Sequence, residues 1–286
     1  MIKLFDVRYV RLGTANRELA TKFATEIVGL DIARVESTAT YLKSDHRDHT
    51  LCYFDGDPSD QTVGWELWDP NDLESAAAEL EQKGYAVHRG TKEECEQRAV
   101  RGFINLKDPT GNSLDIVARP YDSSLRYHGS RDAGITGFNH AALCSTDPER
   151  DEKFWTQILN ARVSDWIAHV PLMRVSSTHH SLALFPDTKK GIQHINHQVA
   201  SVDDIMKSYY FLLERNIPIK FGPGRHATSG AMFLYFEGPD GVIFEYSHGV
   251  REITPEQEAT YRPRQFPFEN ASLCYWGAKP NMSQFK

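Results

Sequence analysis

The stretch Gly238-Pro239-Asp240-Gly241 opens on Val242-Ile243-Phe244-Glu245-Tyr246, a tight turn followed by an apolar run with one acid inside it. Earlier in the chain Pro109-Thr110-Gly111 also precedes an apolar run, at an offset near 130 residues. Three further pairs match in chain order: Val10-Arg11-Leu12 with Ala141-Ala142-Leu143, Asp48-His49-Thr50-Leu51 with His179-His180-Ser181-Leu182, and Asn71-Asp72-Leu73 with Asp203-Asp204-Ile205. Self-similarity at a nearly fixed offset marks duplicated structural units. The chain reads as two homologous halves, residues 1–122 and 134–250. The joint is the polar stretch from Arg119 to Arg131, and the linker is taken as 123–133.

Each half divides again. Thr146-Asp147-Pro148 offers an N-cap with an early proline, ahead of Phe154, Trp155 and Ile158. A second helix spans Ser201 to Arg215, with Asp203 and Asp204 at its positive end. The first half matches with helices near Arg17–Val28 and Asp72–Lys83, and Gly29 and Gly84 stand where a left-handed cap residue is wanted. Three short strands follow each helix, for example Ala161–Val163, Leu172–Val175 and His180–Phe185. Four strand–helix–three-strand units, with sheets and helices segregated, make an α+β protein. Residues 251–286 lie outside the repeat; with Tyr261, Phe266, Phe268, Tyr275 and Trp276 they are too aromatic for a free tail. They are expected to pack on the body or on a neighbouring subunit.

Composition sets outer bounds. With 286 residues, 40% hydrophobic and 25% charged, the chain can bury a large core and is not disordered. A net charge of -7 offers no basic field for a nucleic-acid backbone. No apolar run reaches the ~18 residues of a membrane span. The start, Met1-Ile2-Lys3-Leu4-Phe5-Asp6, carries no secretory h-region, and Cys52, Cys95, Cys144 and Cys274 show no paired spacing. Reduced thiols in a cytoplasmic protein are expected.

Three polar residues stand inside predicted strands of the second half: His140 in Phe138–Leu143, His197 in Ile195–Val199 and Glu245 in Val242–Tyr246. Two imidazoles and a carboxylate are a ligand set for a divalent metal with open positions, typically non-haem Fe(II). A carboxylate within an apolar strand needs a partner, which a metal supplies. Taken singly, each histidine is more often a hydrogen-bonded core residue, and the glutamate a solvent-facing one. The repeat favours the joint reading, because the three positions fall on Tyr9, Trp65 and Asp115 of the first half. His194 and His248 lie three residues from the expected ligands, an odd spacing that turns them to the opposite side of a strand, and so they are left out.

With these motifs in place, the second half resembles the type I extradiol ring-cleaving dioxygenases of the vicinal oxygen chelate (glyoxalase/bleomycin resistance/dioxygenase) superfamily. The resemblance rests on Gly137-Phe138-Asn139-His140, His179-His180-Ser181-Leu182-Ala183, Ile195-Asn196-His197-Gln198-Val199, Gly224-Arg225-His226, and Tyr235-Phe236-Glu237-Gly238-Pro239-Asp240-Gly241 leading to Phe244-Glu245-Tyr246. It implies four βαβββ modules paired into two barrel-like domains, the first metal-free and the second catalytic. It implies His140, His197 and Glu245 as ligands of Fe(II), with Mn(II) as the other candidate ion. It implies His180 as the acid/base, with His179 its nearest competitor, His226 as a second active-site histidine and Tyr235 as a hydrogen-bond donor to substrate. The partners implied are a catechol and O2, and the family favours a homo-oligomer.

Three metal ligands leave room for a bidentate catecholate and O2. Ala142, two residues from His140, leaves space beside the metal; Val175, Phe185, Ile195 and Phe221 are candidate apolar walls; Arg174 and Arg225 are candidates to meet a ring carboxylate, or solvated arginines. Single-ring, bicyclic and carboxylated catechols all stay open. Two other functions compete: a metal-dependent glyoxalase-like isomerase or lyase, which uses no O2, and a metal-free module that binds a small aromatic.

Overall fold

Each half opens on a long strand whose consecutive side chains are nearly all buried: β1 (Leu4–Thr14) and β9 (Ile135–Ser145). A short capped helix follows in both places. Asn16 accepts from the Leu19 amide to start α1 (Arg17–Phe23), which runs on as a π-helical turn, Ala24–Val28, and stops at left-handed Gly29. The structure, a computed structural model, describes residues 1–282.

The first half continues with β2 (Asp31–Val35), β3 (Ala39–Lys43), β4 (Leu51–Asp55), β5 (Gln61–Leu67), α2 (Leu73–Gln82), β6 (His88–Arg89), α3 (Lys92–Arg98), β7 (Val100–Lys107) and β8 (Ser113–Pro120). These strands form one sheet in the order β2-β3-β4-β1-β5-β8-β7-β6. The central pair β1–β5 is antiparallel, and each member is flanked by a parallel strand, β4 or β8. The added helix α3 went unexpected, although its capping box, Thr91 with Glu94, stands in the sequence.

The second half repeats the scheme: α4 (Pro148–Gln157), β10 (Arg162–Ile167), β11 (Val170–Arg174), β12 (Leu182–Pro186), β13 (Gly191–Val199), α5 (Val202–Glu214), β14 (Ile219–Arg225), β15 (Met232–Glu237) and β16 (Ile243–His248). Asp147 and Ser201 cap α4 and α5 through the amides of Arg150 and Asp204, as the sequence indicates. The sheet order is β14-β15-β16-β13-β9-β12-β11-β10, followed by β17 (Arg264–Phe266) at the edge. The chain is thus four βαβββ units in two mixed sheets.

The extra edge strand β17 (Arg264–Phe266) comes from the C-terminal extension and runs parallel to β10. Around it lie the short helices α6 (Pro255–Glu258) and α7 (Asn270–Leu273), and Leu273, Cys274 and Met282 are buried in the second half. The extension therefore packs on the body of its own chain.

Two kinds of core result. The larger one joins the halves and the helices, and in it the rings of Trp65 and Trp155 meet edge to face at 5.1 Å. Polar ties add direction: Asp45 accepts from the Phe138 amide at 3.0 Å, and Asn112 bonds Cys144 and Gly191. The smaller cores line the inner face of each sheet. In the second half that lining includes Ala142, Leu172, Phe185, Phe221, Phe233 and Tyr235. The polar cluster described next sits against it.

Candidate metal centre and its surroundings

Across the antiparallel ladder β9–β13, His194 stands opposite Ala142 and Asn196 opposite His140; across β13–β16, Asn196 stands opposite Glu245. Opposed residues point to one face of a sheet, so His140, His194 and Glu245 converge. Their ligand atoms lie within 4.8 Å of one another, and all three side chains are buried. The Nε2 atoms of His140 and His194 are 2.9 Å apart, and each is 3.3 Å from Glu245 Oε2.

The expected ligand His197 does not join them, and this corrects the sequence reading. His197 and His194 are three residues apart on β13 and face opposite sides, as their spacing requires. His197 looks into the core between the halves. Its ring lies 5.9 Å from that of Phe138, the charges of Asp45 and Arg47 act on it, and neither ring nitrogen has a hydrogen-bond partner. The signal was available in Trp65, its counterpart in the repeat: a large apolar residue at the matched place marks a position that faces the core.

The hydrogen bonds outside the cluster decide what its atoms are. Nδ1 of His140 donates to Asn139 Oδ1 at 2.9 Å, and Nδ1 of His194 donates to Gln193 Oε1. Burial pushes His140 down to about 4, so its ring is neutral near pH 7. A neutral imidazole carries one hydrogen. An imidazole that carries its one hydrogen on Nδ1 presents a lone pair at Nε2, and the two Nε2 atoms face the carboxylate. An ionised carboxylate only accepts, and Glu245 brings one to the same point. Its Oε2 receives no hydrogen bond. Three acceptors converging in a buried space repel unless a cation lies between them. The 2.9 Å separation also matches the ~3 Å edge of an octahedron with ligands ~2.1 Å from its centre. The donor set fits a divalent metal.

The first half answers the same problem with a side chain. Asp115, the counterpart of Glu245, accepts from Arg98 Nε at 2.7 Å, from Tyr9 at 2.9 Å and from Asn105 at 2.8 Å. A guanidinium stands as the cation there.

The remaining expected site residues gather around the cluster. The His180 ring is 4.4 Å from that of His140, and burial drives its pKa well below the ordinary value. Tyr235 stacks edge-on to His194 at 5.1 Å, and burial raises its phenol well above the ordinary range. Nδ1 of His226 donates to the Leu273 carbonyl at 3.0 Å, and its Nε2 lies 3.2 Å from the Tyr235 hydroxyl. The C-terminal extension thus fixes the His226 ring. Among the expected walls, Phe185 and Phe221 join the lining, while Val175 and Ile195 belong to the other core. Arg174 is buried and bound to Glu258 and Ser164, so it does not meet a substrate carboxylate in this arrangement.

Two mixed sheets of paired βαβββ units, with a two-histidine, one-carboxylate centre in the second, define a tandem metal-binding protein of the vicinal oxygen chelate class. The model of the Glyoxalase/Bleomycin resistance protein/Dioxygenase superfamily matches residues 7–116 and again 137–246, and the chain belongs to that family. A 1,2-dihydroxynaphthalene dioxygenase from Sphingobium xenophagum is 27% identical over 90% of this chain and 93% of its own. An iron-dependent extradiol dioxygenase from Rhodococcus jostii is 24% identical over 95% and 96%. Among solved structures, homoprotocatechuate 2,3-dioxygenase from Brevibacterium fuscum, in complex with 3,4-dihydroxyphenylacetate, superposes with a TM-score of 0.88 at 19% identity, covering 99% of this chain and 92% of that one. An Mn(II)-bound glyoxalase from Novosphingobium aromaticivorans gives 0.87 at 20%, covering 99% and 94%. No described helix is long and apolar enough to cross a membrane.

Proposed function

We propose that this chain is an Fe(II)-dependent extradiol dioxygenase. It opens the ring of a catechol beside the diol and inserts both atoms of O2, in the breakdown of aromatic compounds. The observation that carries the reading is the convergence of three acceptor atoms, from His140, His194 and Glu245, next to a further histidine and a tyrosine that ligate nothing. A metal site built for structure alone closes its coordination with protein atoms; three donors leave positions open. The names of the relatives from Sphingobium and Rhodococcus point to the same chemistry.

Iron held there supplies Lewis acidity toward a coordinated hydroxyl and a one-electron couple for O2. His180 accepts a proton from the substrate hydroxyl as it binds. Tyr235, with His226 behind it, gives a hydrogen bond to a substrate oxygen. Phe185, Phe221 and Phe233 wall the ring and exclude water, and Ala142 leaves room beside the metal. Because Arg174 is engaged by Glu258, the walls suit an uncharged aromatic better than a carboxylated one. Residues 134–250 form the catalytic unit and residues 1–122 a metal-free copy. The protein is read as cytoplasmic and homo-oligomeric. Mn(II) suits the same donors, and elemental analysis separates the two ions.

The test is oxygen uptake by iron-reconstituted protein over a panel of single-ring and bicyclic catechols. Substrate-dependent uptake with a yellow ring-fission product is expected. Metal-dependent turnover of a hemithioacetal without oxygen uptake would instead establish a glyoxalase-like isomerase. Failure to retain any divalent ion would leave the metal-free binding module.

A further inference from the structure

Behind His180 stands a buried pair that takes no part in the metal cluster. Asp165, on β10, is wholly buried. Its Oδ2 accepts from His179 Nε2 at 2.8 Å, from Arg264 Nη2 at 2.7 Å and from Arg251 Nη2 at 3.2 Å. Its Oδ1 accepts from the Arg264 backbone amide at 2.9 Å and Nε at 3.0 Å. Five donors and two guanidinium charges keep this carboxyl ionised: burial raises its pKa, but His179 and Arg264 bring it below the ordinary value. Burial, opposed by Asp165 but aided by Arg251 and Arg264, lowers His179 and keeps its ring neutral.

The hydrogens then follow by elimination. A carboxylate only accepts, so His179 carries its hydrogen on Nε2 and has a lone pair on Nδ1. That Nδ1 lies 3.1 Å from Nδ1 of His180. Two lone pairs do not make such a contact, so the hydrogen between them belongs to His180. The Nε2 of His180, on the opposite edge of its ring, is left as an acceptor. The first half repeats the device in one step fewer: Nδ1 of His49, the counterpart of His180, bonds Asp48 at 2.9 Å. In both halves the preceding residue pins the same ring nitrogen.

We propose that Asp165 and His179 are positioning residues for His180, locking its ring and tautomer so that Nε2 is the accepting atom beside the metal cluster. The proposal rests on the reading of His180 as the group that takes the substrate proton. It also gives the C-terminal extension a part in the reaction, since Arg251 and Arg264 both come from it and hold Asp165 in place. The geometry separates His179 from His180 by role: the first orients, the second meets substrate.

The test uses the full chain. With 15N-labelled histidine, long-range 15N–1H correlation on the metal-free protein reads each tautomer. His180 is expected as a single Nδ1–H form and His179 as Nε2–H. His179→Gln places its amide where Nε2 stood, keeping Asp165 company but losing His180; His179→Asn places an amide oxygen where Nδ1 stood. In His179→Gln, His180 is expected to show mixed tautomers, and kcat for oxygen uptake to fall on the order of 10²-fold with KM little changed. In His179→Asn, the Nδ1–H form is expected to persist with kcat within about tenfold of the parent. A merely structural His179 would not part these two variants. Wild-type His180 protonated on Nε2, or an unaltered His180 tautomer in His179→Gln, overturns the proposal. A correct tautomer pattern in a protein that no catechol drives to consume oxygen sinks the dioxygenase reading and leaves the pinning of His180 in place.

Discussion

At the scale of single residues, the site turns on which of two histidines on one strand faces Glu245. His194 and His197 differ in sequence by three places, and in the fold by the side of a sheet. His194→Ala removes one of three converging acceptors and is expected to lower bound metal more than tenfold, read by elemental analysis after desalting. His197→Phe keeps a ring in an apolar surround and removes two unpartnered nitrogens. It is expected to retain full metal and to be close to neutral in stability. Loss of metal in His197→Phe, with His194→Ala still loaded, would restore the assignment drawn from sequence. The repeat itself was legible here: the matched positions, Tyr9, Trp65 and Asp115, do correspond in place to His140, His197 and Glu245. One of those three places faces the core, and only the aromatic at 65 says so.

At the scale of elements, the C-terminal extension closes the second sheet. β17 covers the edge strand β10, and its first residue, Arg264, supplies three of the five hydrogen bonds to Asp165. The side chain of Arg264 also reaches the Thr228 carbonyl at 2.6 Å. Arg264→Ala strips two charge-assisted bonds from a buried carboxylate and is expected to cost roughly 2–4 kcal/mol in urea unfolding. A loss below ~0.5 kcal/mol would mean that Arg251 and His179 suffice. The aromatic content of residues 251–286 signalled that they pack; the pairing with β10 and the bond from His226 to Leu273 came from no local pattern, because each joins segments tens of residues apart.

At the scale of the whole molecule, several histidines are buried where charge is costly. Burial brings His49, His140 and His197 each to about 4, from an ordinary value of 6.5. Between those values the unfolded chain binds protons that the folded one refuses. Stability is therefore full above pH 6.5 and falls as the pH drops toward 4, with a slope of up to about 1.4 kcal/mol per pH unit for each histidine. The urea midpoint of the metal-free protein is expected to be flat from pH 8 to 7 and to decline steeply from 6.5 to 5. A midpoint unchanged across that lower range would mean these rings are protonated in the fold or reached by water. Of the three, His49 lies in the first half, away from the His140–His194–Glu245 cluster, so replacing it with Phe isolates one step of the decline.

The sequence by itself determined the duplication, the four βαβββ units and the caps that start their helices, because turns, caps and apolar runs are local chemistry read within a few residues. It also pointed to the histidine-rich second half as the place of the candidate site. The tertiary structure alone decided that His194 stands with His140 and Glu245, that Arg98 stands as the cation beside Asp115, and that Asp165 and His179 lie behind His180. The reason is physical. Alternation says that two residues of a strand face opposite ways, but which way is inward depends on the neighbouring strands and on bulges such as the shift between Asn196 and His197, and these exist only once the sheet has formed.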